Sequence, residues 1–224
     1  MSQHLVTKAP RALLVTVMIF TATVAQLLVA TLATGLPQFE GKAFGSRLVA
    51  YPLMMLLVPA AWVSVRRLRR ASAPRPLPWL GFGFLLAPFL VDVTGNTLNL
   101  YDTIGWWDDA NHLANWFLLG VGVGMLLLRA SISPRWALGF LVAGVGALLA
   151  VGWELAEWYT FIRHGTELAT AYRDTLGDQA LGTLGAALAG TLVTVAARRR
   201  DEAAGEQQSA SVGRSPHDSY DGAP

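Results

Sequence analysis

The sequence predicts an all-α integral membrane protein, a polytopic helix bundle of six transmembrane helices with both termini cytoplasmic. Three observations carry that expectation. The chain is 53% hydrophobic and only 14% charged, with a mean hydropathy of +0.42, where a soluble domain carries about a quarter charged residues. Its apolar residues fall in long blocks, not in amphipathic stripes, which is the pattern of helices buried in lipid on all sides. Its arginines cluster between alternate blocks, so that they collect on one face of the membrane.

Taken in order, a short polar start with Lys8 and Arg11 leads into the first span, Ala12 to Leu36, interrupted only by threonines and Gln26. This run is too long for the apolar region of a usual signal peptide, so it reads as a retained span. After a loop with Glu40, Lys42 and Arg47, the second span runs from Leu48 to Val65. Pro52 and Pro59 within it are tolerable because neighbouring helices re-satisfy the freed carbonyls. Arg66, Arg67, Arg69, Arg70 and Arg75 form a dense basic loop. The third span opens at Trp79, runs to about Val93 and contains Asp92. Thr94 to Trp107 reads as a polar, aromatic loop, and Asp108 or Asp109 is placed to cap a fourth span over His112 to Leu128. The fifth span opens at Trp136 and ends in Trp153 to Tyr159. A polar segment with Arg163, His164, Glu167, Arg173 and Asp174 precedes the sixth span, Asp178 to Ala197, which stops at Arg198-Arg199-Arg200. The sequence thus divides into a six-span transmembrane domain, 1–200, and a polar tail, 201–224, without apolar periodicity and expected to be disordered.

Most of the 17 basic residues fall on the face that holds both termini; only Lys42, Arg47, Arg163 and Arg173 fall on the other. The positive-inside rule then places both termini in the cytoplasm. Acids mirror this, since apart from Asp201, Glu202, Glu206, Asp218 and Asp221 in the tail they lie at or near the outer face. Trp62, Trp79 and Trp136 mark the inner boundary, and Trp106, Trp107, Trp153 and Trp158 the outer one, as interfacial belts do.

Composition also excludes functions. Without cysteine there is no disulfide, thiolate ligand or cysteine nucleophile. A net charge of only +2 gives no basis for nucleic-acid binding, whatever the pI of about 9.2. No nucleophile motif, phosphate loop or cofactor fingerprint is present.

Chemistry-bearing residues gather at the outer ends of the last three spans. Glu154 and Glu157 close a long apolar run, where an ionised acid at mid-membrane would cost about 2.5–3.5 kcal/mol. At a rise of about 1.5 Å per residue, Glu154 lies about 27 Å and Glu157 about 32 Å above Trp136. His112 lies about 25 Å above Arg129, and Asp178 about 30 Å above Arg198. All four reach the outer edge of a core roughly 30 Å thick, whereas Asp92 is deeper, about 20 Å above Trp79. The i,i+4 pairs Asp108/His112 and Asp174/Asp178, and the i,i+3 pairs His112/Asn115 and Glu154/Glu157, share helix faces. Ala150, Ala147 and Ala143 lie below Glu154, and Gly182, Gly185 and Ala189 below Asp178. Such small faces let helices approach closely.

Crowded carboxylates need protons or a cation among them. One imidazole with several carboxylates at an aqueous face suits a divalent metal ion such as Zn²⁺, Mn²⁺, Fe²⁺, Mg²⁺ or Ca²⁺. In that reading His112, Glu154, Glu157 and Asp178 are ligands, with Glu154 and Glu157 also acid/base groups, and Asp92, Asp108, Asp109 and Asp174 support them from outside. The same residues admit plainer roles: interfacial acids facing headgroups, helix caps, a hydrogen-bonded interior histidine, or a salt bridge to Arg163 or Arg173.

At these positions the chain resembles the YjdF-like group of uncharacterised bacterial inner-membrane proteins. The shared pattern is a Tyr-Asp followed by a His, here Tyr101-Asp102 and His112. A Glu-x-x-Glu-Trp follows, here Glu154 and Glu157-Trp158, then an Asp-x-x-x-Asp before a Gly-Ala-rich helix, here Asp174 and Asp178 before Gly185-Ala186. The resemblance covers about residues 92–190. The chain departs from it in a longer distance from Tyr101-Asp102 to His112, which leaves Asp108-Asp109 as the alternative equivalent. The His, Glu, Asp order is more distantly similar to VanZ-like membrane proteins. Neither group supplies a reaction; the resemblance implies that the polar residues form one site.

Three readings follow: a metal site, hydrolase-like, acting on an envelope or lipid-linked substrate; a small proton- or ion-coupled transporter using Asp92 and Gln26; and a non-catalytic envelope protein. The nearly apolar inner half of the spans disfavours the transporter.

Overall fold

In the computed structural model, which describes residues 8–33, 35–68, 76–163 and 168–212, the helices account for nearly everything and no strand occurs among the described residues. The elements are α1 (Lys8–Leu32), α2 (Phe44–Leu68), α3 (Trp79–Thr97), the single turn α4 (Leu100–Thr103), α5 (Trp107–Leu127), α6 (Arg135–Glu157) and α7 (Leu168–Val212). A 3₁₀ turn, Pro37–Phe39, precedes α2, and a π-helical turn, Trp158–Ile162, continues α6. Six of these helices are long and apolar enough to cross a membrane. The expected Arg69, Arg70 and Arg75 of the basic loop, His164, Glu167 and the tail beyond Val212 lie outside the described residues.

Helices extend past the apolar runs at several ends. α2 begins before Leu48, α3 runs on through Thr97, and α5 starts five residues before His112 at Trp107. An apolar run measures the length of chain in hydrocarbon, whereas helical hydrogen bonding continues into the polar layer as long as nothing competes with it. The largest extension is α7, 45 residues from Leu168 to Val212, or about 67 Å. It carries Asp174 and Asp178 on its N-terminal part, and continues through Arg198–Arg200 into residues expected as tail. There Asp201 forms a bidentate pair with Arg135 at the start of α6, at 2.7 and 2.9 Å, tying the two helices together at that end of the bundle.

Packing is sequential on one side and interlocked on the other. α1 packs on α3 and α2, α3 on α5, and α7 along both α5 and α6. Leu27, Ala30, Phe44, Tyr51 and Val93 form the core of the α1–α2–α3 side. Val121, Val142 and Ala189 join α5, α6 and α7 at mid-height, and Leu138, Val193 and Ala197 do so further in. Outward faces of α1 and α2 expose Leu14, Val17 and Met18, and Val49, Leu53 and Leu57. Such a surface suits hydrocarbon.

Small residues set how closely α7 approaches. A Cβ on Gly185 would overlap the Leu113 carbonyl of α5 and come within 3.0 Å of the Phe117 nitrogen. Across the other contact, a Cβ on Gly190 would lie 2.5 Å from the Gly139 carbonyl oxygen of α6. Both obstacles are backbone and cannot move aside. Gly185→Val is therefore expected to destabilise the bundle by about 1–3 kcal/mol through overpacking. Gly144→Ala, whose added Cβ meets nothing within 4 Å, should be neutral or slightly stabilising. Thermal unfolding of the two purified variants beside the parent checks this.

Candidate metal centre

α5 starts at Trp106–Trp107, and the N-cap residue Trp106 makes no side-chain capping bond. Asp108 and Asp109, expected as caps, instead occupy the first turn. The reason is that the helix begins earlier than its apolar run; acids in a first turn still interact favourably with the helix N-terminus. Asp108 is one turn from His112, and its Oδ1 lies 3.6 Å from His112 Nε2. The imidazole is 7% exposed.

From α6, Glu154 reaches the same level and is 5% exposed, while Glu157 is half-buried. Glu154 Oε1 lies 3.7 Å from His112 Nδ1. Immediately beyond Glu157 the helix widens into the π-helical turn, in which the Arg163 N–H donates to the Trp158 carbonyl at 2.9 Å. Such turns recur at functional sites. From α7, Asp178 is 4% exposed and its Oδ2 lies 3.8 Å from His112 Nε2. The close approach of α7 below this level brings it there: Trp116 of α5 and Ala150 of α6 both pack against Gly182, one turn beneath Asp178.

None of these three separations is a hydrogen bond. His112 Nδ1 and Glu154 Oε1 are both buried without a hydrogen-bond partner. Two buried polar atoms facing one another across 3.7 Å form an arrangement that costs free energy unless something lies between them. Ligand atoms sort into two sets, Asp108–His112–Asp178 and His112–Glu154–Glu157, each within 4.8 Å. For a Zn²⁺-like ion about 2.0–2.2 Å from each atom, the His112–carboxylate separations of 3.6–3.8 Å correspond to ligand–metal–ligand angles of roughly 120–130°, whereas pairs as far apart as 4.8 Å must draw closer before one ion touches both.

The four residues expected as ligands, His112, Glu154, Glu157 and Asp178, thus come together from three helices, with the imidazole ring between the Glu pair and Asp178. Of the four acids expected around them, Asp108 touches the cluster. Asp109 and Asp174 are exposed and belong to neither set.

Asp92 lies in a separate polar network. Its Oδ2 accepts from Arg47 Nη1 at 2.7 Å and from the Tyr51 hydroxyl at 2.6 Å. Its Oδ1 accepts from the Tyr101 hydroxyl at 2.9 Å and from Asn96 Nδ2 at 3.1 Å. Asn111 Nδ2 donates in turn to the Tyr101 hydroxyl, and Asn115 Nδ2 to Asn111 Oδ1 at 2.8 Å. The network joins α2, α3, α4 and α5 and ends on the two asparagines that flank His112 along α5. Burial, and then the Asp92 carboxylate, push the Tyr101 phenol well above its ordinary value, so it stays protonated and donates. Gln26 is likewise engaged, with Thr94 at 3.2 Å and Thr97 at 3.0 Å.

Arg47, Tyr51, Asn96 and Asn111 were not singled out by sequence. Arg47 carried one available signal, as a basic residue on the outer face against the charge bias, with a deep acid, Asp92, in need of a counter-ion. Arg163, expected as a salt-bridge partner, stacks its guanidinium 3.5 Å from the centre of the Tyr159 ring.

The family profile described as "Predicted membrane protein (DUF2238)" matches residues 12–200, and the chain belongs to that family. No curated protein and no solved structure matches it. Nothing in these comparisons carries the distant likeness to VanZ-like proteins.

Proposed function

We propose that this DUF2238 membrane protein holds a divalent metal ion at the outer end of its bundle, with ligands from the set His112, Glu154, Glu157 and Asp178. The observation that carries the reading is the pair of buried, unpartnered atoms, His112 Nδ1 and Glu154 Oε1, 3.7 Å apart on different helices. A cation between them would satisfy both, and a nitrogen with carboxylate oxygens is a donor set for Zn²⁺, Mn²⁺ or Fe²⁺. Such an ion with an open position lowers the pKa of a bound water and makes it a nucleophile. Glu157, half-buried, would hold or move a proton of that water through whichever carboxylate oxygen does not ligate the ion. The reaction class that fits is hydrolysis of an envelope or lipid-linked substrate at the outer face. The arginine distribution supports both termini being cytoplasmic in a bacterial inner membrane, and the Tyr101, His112, Glu154, Glu157 and Asp178 pattern supports placing the chain in the YjdF-like branch.

Elemental analysis of the purified protein tests the reading. The parent is expected to carry about one divalent ion per chain, and His112→Ala, Glu154→Gln and Glu157→Gln to carry little. A parent that is metal-free and takes up none of Zn²⁺, Mn²⁺ or Fe²⁺ on addition overturns it.

A further inference from the structure

His112 presents its two ring nitrogens to two different carboxylate sets, Nδ1 to Glu154 and Nε2 to Asp108 and Asp178. A neutral imidazole has one lone pair and one N–H, on opposite sides of the ring. One ion therefore cannot draw on both sets through this ring. Resting on the metal reading above, we infer that the ion sits on the Nδ1 side, held by His112, Glu154 and Glu157. Asp178, with Asp108, is then a positioning residue, placed to accept the Nε2–H once the 3.6–3.8 Å gap closes and so to fix the tautomer and the ring plane.

Two observations assign the sides. The first is solvent. The Asp108 side chain is 41% exposed, so the Nε2 side opens to water through Asp108, although Asp178 is itself buried. On the other side Nδ1 and Glu154 Oε1 are both closed off from water and unpartnered. Uncompensated negative charge is most unfavourable where water cannot screen it, so the cation belongs beside Glu154. The second is polarity. A lone pair at Nε2 would face the Asp108 and Asp178 carboxylates, acceptor against acceptors, whereas an N–H there faces acceptors on two helices. Metal-bound histidines commonly donate their second N–H to a carboxylate, which orients the ring and raises its basicity.

The distinguishing measurements use the full-length protein in detergent, titrated with Zn²⁺ or with cadmium-113 alone. Asp178→Asn keeps an acceptor, and is expected to bind one ion with affinity about 10–100-fold weaker than the parent. Glu154→Gln and Glu157→Gln are expected to lose binding. In the nitrogen-15 spectrum of histidine-labelled parent protein, with His112 identified by its loss in His112→Ala, ion binding should move Nδ1 and leave Nε2 protonated. Coupling of cadmium-113 to Nε2, or binding lost in Asp178→Asn but retained in Glu157→Gln, overturns the assignment while leaving a metal site in place. A parent that binds no ion overturns the metal reading and this one with it. If Asp178→Asn fails to fold, the parent spectrum alone decides which nitrogen is ligated.

Discussion

Asp92→Ala is expected to destabilise the protein by about 3 kcal/mol, the low end of what is lost when one partner of a buried ion pair is removed. The Arg47 and Asp92 side chains are only 17% and 13% exposed, and the carboxylate also takes the Tyr51 and Tyr101 hydroxyls. Its removal takes the carboxylate away from a buried guanidinium, which keeps the Tyr51 hydroxyl, and takes the acceptor away from two phenols. Tyr101→Phe, which removes one neutral donor, should cost nearer 1 kcal/mol. The double change Arg47→Met with Asp92→Leu should recover most of the loss, since apolar replacement of a whole buried pair is often neutral. Thermal unfolding of the variants gives the ranking. A single variant Asp92→Ala as stable as the parent would show that the network is not a clamp. Metal uptake separates this scaffold from the centre: the folded fraction of Asp92→Ala should still bind the ion.

Glu154→Leu should behave in the opposite way. Without metal, it removes a buried oxygen that has no partner but also the hydrogen bond between Thr175 and the same carboxylate, so the variant should be more stable than the metal-free parent by about 1 kcal/mol. Its stability should then be indifferent to Zn²⁺. The parent should gain about 2.7 kcal/mol at a free ion concentration 100 times its Kd, so the order of the two proteins reverses or narrows as metal is added. Unfolding curves with and without Zn²⁺ show this directly. A metal-free parent more stable than Glu154→Leu would mean that Glu154 is satisfied by something other than a cation. The logic is that functional sites hold groups that are unfavourable until the ligand arrives.

Much of the architecture was legible in the sequence because bilayer physics leaves few options. A run such as Leu48 to Val65 must be helical, since lipid offers its backbone no other partner. Helix ends were less legible. Where Asp108 or Asp174 stands, the chain is in the polar layer, hydropathy falls, and the helix continues regardless. The convergence of His112, Glu154 and Asp178 was legible through depth and through the small residues below them, because close approach and equal height are both written in one dimension. The sides of the imidazole were not, since they depend on the rotation of α5 about its own axis. The Asp92 network was missed for a related reason. Arg47 and Asp92 are 45 residues apart, and their pairing depends on α2 packing beside α3, which apolar composition does not specify.

Finally, the residues of the proposed centre come only from α5, α6 and α7, and α7 packs along both of the others. The chain is made and inserted from its N-terminus, so His112 and Glu154 reach the bilayer before Asp178 does. An imidazole and an acid are thus delivered early to helices that lack their third wall. The centre is finished only when the last span docks, which makes its assembly the closing event of biogenesis. A chain truncated before α7 would present the same histidine and glutamates to lipid and water with nothing to hold them in register.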